Sequence, residues 1–195
     1  MNGDLLTTFS EKKPRETAGS RSSNRFDYQK NWSLCELLNL HSNNNDYLMV
    51  FEHHEDVVVF DSQHAPLNAI FYQVKTKKTG NWTVNNLSKS SNDGQSIIGK
   101  LYSNYALFPD SVEALIFSSN QGLSTKLSNG DKGIDCQYIE FSQLSNKDKE
   151  LVSQAVGSDV NKYCDLDGLS RIRIHKTDLR LDDHTAITKG IAKPY

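Results

Sequence analysis

DVVVFDSQHAPLNAIFYQVKT, residues 56 to 76, holds two apolar runs divided by a short polar one. Val57 to Phe60 are four contiguous apolar residues, the pattern of a short strand covered on both faces. SQHAPLN carries Pro66 and Asn68 and reads as a loop. AIFYQVKT, rich in β-branched and aromatic residues, is a second strand. The connection is too short for a crossover, so the two runs pair as an antiparallel hairpin. Pairing Asp61 near Ile70 places Asp56 opposite Lys75 or its immediate neighbours.

Upstream, YLMVFE (47–52) is another strand and HHE a tight connection, with His53 and His54 expected on an exposed hairpin turn. Before it, FDYQKNWSLCELLNL (26–40) repeats Tyr28, Trp32, Cys35 and Leu38 at spacings of three or four. That is a helix with one buried stripe; Gln29, Ser33 and Glu36 fall on a different, more polar face. Downstream, GQSIIGKLYSNYALF (94–108) fits a second helix and VEALIFSSN (112–120) a further strand. The remainder holds a short strand at 138–141, a helix capped by Ser145, and a strand in LSRIRIHK. The order αβββαβ predicts an α/β (α+β) fold with a mixed central sheet flanked by helices. Residues 1–24 read as an irregular arm rich in Ser, Thr, Lys and Arg. Residues 25–195 read as one domain, with a core at about 26–120 and an extension at 121–195.

Alternation along the 69–76 strand sends Ile70, Tyr72 and Val74 one way, toward a core, and Phe71, Gln73, Lys75 and Lys77 the other. Tyr72 and Trp82 read as core or loop anchors. Gln73 and Lys75 therefore share a face, and the hairpin brings Asp56 to them. A carboxylate, an amide oxygen and a backbone carbonyl can hold Mg²⁺ (or Mn²⁺), with waters completing its shell. Such a metal polarises a phosphodiester and acidifies a water, and a neighbouring ammonium steadies the developing negative charge.

Bulk charge is uninformative, with 22 basic against 24 acidic side chains and a net charge of −2. Local charge says more: Ile70 to Lys100 holds five lysines and one acid, Asp93. Lys77, Lys78 and the arm's Arg21 and Arg25 are accordingly candidate phosphate contacts. Cys35, Cys136 and Cys164 are too far apart for a C-x-x-C zinc site and odd in number, so free thiols in a cytoplasmic protein are expected. No stretch approaches the length of a membrane span, and no secretory h-region opens the chain.

The αβββαβ order, the Asp opening the second strand and the Q-x-K ending the third resemble the PD-(D/E)xK nuclease superfamily, in its Mrr-like variant with Gln at the second acidic position. PRETAGSRSSNRFDYQ, FEHHEDVVVFD and FYQVKTKKTGNWT resemble more closely the double-stranded DNA endonuclease domain at the N-terminus of CBASS antiphage effectors. That domain is usually fused to a cyclic-oligonucleotide-sensing SAVED domain, and similar ones partner HerA-type ATPases. The resemblance implies Asp56 as the metal-binding acid, Gln73 in place of the second acid, and Lys75 as the catalytic lysine. Glu52, Gln29 and Glu36 are implied as supporting residues. It further implies duplex DNA as substrate, a homo-oligomer for double-strand breaks, and a sensor or ATPase partner. A non-catalytic DNA- or protein-binding module with the same fold is the alternative.

Overall fold

Six strands make one sheet among the described residues, which are 4–12, 23–43, 46–91, 94–160 and 164–193 of this computed structural model. β1 (Leu48–His53), β2 (Glu55–Phe60) and β3 (Ala69–Lys75) form an antiparallel meander. From β3 the chain passes through α3 (Val84–Ser88) and α4 (Ile97–Leu107) and returns as β4 (Val112–Ser119), parallel to β3. β6 (Ile172–Lys176) adds parallel to β4, and β5 (Tyr138–Glu140) closes the edge antiparallel to β6, giving the order β1-β2-β3-β4-β6-β5.

Both faces of this sheet are covered, which is why β2 shows no alternation and every one of its residues is buried. On one face Val58, Phe60, Phe71, Leu115 and Phe117 pack with Ile98 and Leu101 of α4 and with Val152 of α5 (Asn146–Val160). On the other, Val57, Tyr72, Val74 and Ile116 meet Tyr28 and Trp32 of α2 (Ser23–Asn43). Trp32 and Tyr72 lie 5.1 Å apart between ring centroids. Burying each such side chain contributes roughly 1.5–3 kcal/mol. Phe71 thus has its own core, and the strand holding Gln73 and Lys75 is sandwiched rather than one-sided as expected.

The sequence-predicted helices and strands recur, with Ser145 accepting the Asp148 N–H at the start of α5. Four α-helices were not anticipated: α1 (Leu5–Glu11) in the supposedly irregular arm, α3 in the polar stretch after β3, α6 (Leu166–Ser170), and α7 (His184–Ala192), which packs on α2. α1 forms because Phe9 finds a socket, with its ring 5.1 Å from Phe60 and 4.7 Å from His54. His54 is consequently buried, donating through Nε2 to the Phe9 carbonyl at 3.3 Å, and the expected exposed turn is corrected. Residues 121–195 supply β5, β6 and α5 to the same sheet and core.

Register differs from the expectation by two residues. Phe60 pairs with Ala69 and Val57 with Tyr72, so Asp56 comes opposite Gln73 and not Lys75. The loop explains the slip: Asp61 accepts from the N–H groups of Leu67 and Asn68 and from the Asn68 amide, and so closes the connection tightly. A shift of two preserves which side chains share a face.

Candidate active site

The β2–β3 ladder ends at Val57↔Tyr72, and beyond it side chains take over the backbone hydrogen bonds. Asp56 Oδ2 accepts the Val74 N–H at 2.8 Å and the Gln73 amide Nε2 at 3.2 Å. The Val74 carbonyl accepts from Gln29 Nε2 of α2 at 2.9 Å. Asp56, Gln73 and Gln29 are each less than a tenth exposed. A buried carboxylate is tolerated only when hydrogen-bonded, and Asp56 meets that condition through its neighbours on β3. Asp56, Gln73 and Gln29 are therefore brought together by the fold, with Lys75, half-buried, one residue further on.

On the more polar face of α2, Gln29 and Ser33 are buried like the apolar residues Tyr28 and Trp32. Ser33 Oγ donates to the Gln29 carbonyl at 2.7 Å, and Gln29 reaches the sheet. Glu36, on the same side of the helix, is not joined to this group; its Oε1 accepts from the Tyr72 hydroxyl at 3.3 Å on the other face of β3. Burial raises its pKa above the ordinary carboxylate value. Glu52 stands exposed at the β1–β2 hairpin tip, where both it and His54 adopt left-handed backbone angles, φ 55° and 61°. Such angles are strained for side-chain-bearing residues. Glu55, beside Asp56, is buried and receives the Asn104 amide at 2.9 Å.

The lysines divide. Lys77 Nζ donates to the Asn81 carbonyl at 3.0 Å and to Asn86 Oδ1 at 2.7 Å, and sits 4.2 Å from the Trp82 ring centroid. It anchors the loop to the start of α3, where Thr83 and Asn86 form a capping box. Lys78 is exposed. Arg21 and the Arg25 side chain lie outside the described residues.

Two features were not legible from motifs. Asn120, just past β4, takes both backbone groups of Lys77: Oδ1 accepts its N–H at 3.0 Å and Nδ2 donates to its carbonyl at 2.9 Å. On β6, His175 pairs Ser118 in register, hydrogen-bonds it at 3.1 Å, and stacks on Tyr138 at 4.3 Å. Burial pulls the His175 pKa down to about 4. A one-residue Asn and an isolated His carry no spacing signal, so only the strand register reveals them.

Among the described residues no group of three or more His, Cys, Asp or Glu side chains could hold a metal ion. The cluster at the end of β3 offers one carboxylate, one amide oxygen and the Val74 carbonyl. That all-oxygen set suits a hard cation that keeps most of its waters, and does not suit zinc. Among the same residues no helix is long and apolar enough to cross a membrane.

Residues 17–192 match the family model described as "Cap4, dsDNA endonuclease domain". The chain is also similar to the Lamassu protein LmuA of Bacillus cereus (strain VD014), 26% identical over 177 residues. That alignment covers 90% of the chain and 47% of LmuA, so the chain spans about half the length of this curated relative. No solved structure matches. With most of its length matched, and with the sheet and helices in place around Asp56, Gln73 and Lys75, the chain belongs to the Cap4 dsDNA endonuclease domain family.

Proposed function

We propose that this protein is a metal-dependent endonuclease of duplex DNA, of the PD-(D/E)xK type, serving as the cutting component of a bacterial antiphage system. The observation that carries the reading is the hydrogen-bonded cluster of Asp56, Gln73 and the Val74 peptide, one residue from Lys75. Asp56 and the Gln73 amide oxygen would hold Mg²⁺ or Mn²⁺, with Val74 contributing its carbonyl. The metal, when bound, supplies Lewis-acid activation of the phosphodiester and of a water. Lys75 donates hydrogen bonds to the negative charge that develops on the phosphoryl oxygens, an effect worth roughly 10²–10³ in rate for comparable groups. Lys78 neutralises backbone phosphate at the mouth of the site. Family membership and the Lamassu relative support the defence role. A cyclic-oligonucleotide sensor of the SAVED type or a HerA-type ATPase as partner belongs to the same proposal, as does an oligomer that brings two sites to one duplex.

A second reading, a non-catalytic module that docks DNA or protein, is favoured by one observation: Gln73 stands where a second carboxylate would strengthen cation binding. Calorimetry with Mn²⁺ separates the two, since the module requires no metal heat at any accessible concentration. The direct test is cleavage of supercoiled and linear plasmid with Mg²⁺ or Mn²⁺. Cutting is expected to stop with EDTA and to fall at least about 100-fold in Lys75→Ala. A Lys75→Ala variant that cuts at the wild-type rate would overturn the assignment.

A further inference from the structure

The last ladder pair of β3 is Lys75↔Ser119, and there the strand leaves the sheet. Its backbone nevertheless stays hydrogen-bonded on both sides of Lys75. One residue before, the Val74 peptide is held by Asp56 on its N–H and by Gln29 on its carbonyl. Two residues after, Asn120 holds Lys77 by both its N–H and its carbonyl. A carboxamide carries the same donor and acceptor as a peptide unit, so Asn120 adds one more rung after β4 has ended. The amide is itself oriented: Ser119 Oγ donates to Asn120 Oδ1 at 3.3 Å and receives the Trp82 indole N–H at 2.7 Å. Gln29 is oriented from the opposite layer, buried on α2 beneath the sheet.

We propose that Gln29 and Asn120 are positioning residues for Lys75, two carboxamides from different layers that clamp the backbone before and after it. The lysine side chain has four rotatable bonds, so the placement of its ammonium depends on where its Cα is fixed. A displacement of about 1 Å at a reacting group costs on the order of 10²-fold in rate. The inference rests on the endonuclease reading above and adds how the Lys75 backbone is held in place for it.

Gln29→Met and Asn120→Leu remove the amides at similar volume. Each is expected to lower kcat for plasmid nicking by about 10- to 100-fold. Duplex affinity in Ca²⁺ should stay within about twofold; the backbone groups left unpaired should lower the melting temperature by roughly 2–10 °C, with both variants fully folded at the assay temperature. Asn120→Asp, which keeps the acceptor and loses the donor, should fall between. In the metal-free protein, amide hydrogen exchange at Lys75 and Thr76 should be accelerated in both variants. An unchanged kcat overturns the proposal, and so does a kcat that falls only together with duplex affinity or with loss of the folded state at the assay temperature, the mark of a merely structural role. If the wild type cuts no duplex under any condition, the endonuclease reading fails. The clamp is then judged by exchange alone: acceleration in both variants sustains it and unchanged exchange overturns it.

Discussion

The Asp56 carboxylate accepts the Val74 amide hydrogen at 2.8 Å, tying the start of β2 to the peptide that precedes Lys75. The same acid therefore has a structural and a proposed catalytic duty, and two substitutions separate them. Asp56→Ala leaves the Val74 N–H buried without its acceptor and should cost about 1–3 kcal/mol of stability as well as activity. Asp56→Asn retains an oxygen for that N–H, so thermal unfolding should move much less while plasmid cleavage falls at least about 100-fold. Paired melting curves and cleavage assays check both.

Gln73→Glu places a second carboxylate against Asp56, whose Oδ2 is 3.2 Å from the Gln73 amide nitrogen. Without metal, the like charges should lower the melting temperature. With Mn²⁺, an added anionic oxygen should tighten binding by about tenfold or more and restore or exceed the wild-type midpoint. Metal titrations followed by calorimetry and by thermal shift should move in opposite directions for apo and loaded protein.

Lys77 and Lys78 are adjacent in sequence and should behave differently. Lys77→Met removes two hydrogen bonds and the contact over Trp82, and should cost about 1–2 kcal/mol of stability with little effect on duplex affinity. Lys78→Ala should leave stability unchanged and reduce the slope of log affinity against log salt by about 1. Denaturant unfolding and salt-dependent binding isotherms distinguish them.

Burial raises the pKa of Glu36 in the folded protein, so its ionisation opposes folding. The stability associated with the protonated group is complete below the unfolded value of 4.5 and is lost as pH rises through the folded value. Glu36→Gln keeps an acceptor for the Tyr72 hydroxyl and carries no charge. The variant should therefore be more stable than wild type near pH 7, and the gap should close as pH falls below about 4.5. Melting temperatures between pH 4 and pH 8 test the sign.

Strand existence and order were legible because Val57–Phe60 and Ala69–Lys75 carry continuous apolar runs bounded by turn residues. The pairing of Asp56 with Gln73 was legible to within two residues, and the period of two kept both on one face in spite of the slip. Helix α1 was not legible, since a seven-residue segment with three apolar side chains has too little intrinsic stability to declare itself. It exists because Phe9 buries against Phe60 and Phe108.

Local sequence determined the six strands, the three longest helices, the hairpin and the residue types proposed to act on a phosphodiester, because apolar periodicity and turn chemistry are written in consecutive residues. Tertiary structure decided which of them meet. Gln29 reaches the Val74 carbonyl across 45 positions of chain and Asn120 reaches Lys77 across 43. Hydrogen bonds between such distant partners depend on strand register and on how helices lie over the sheet, and neither leaves a periodic trace in the chain.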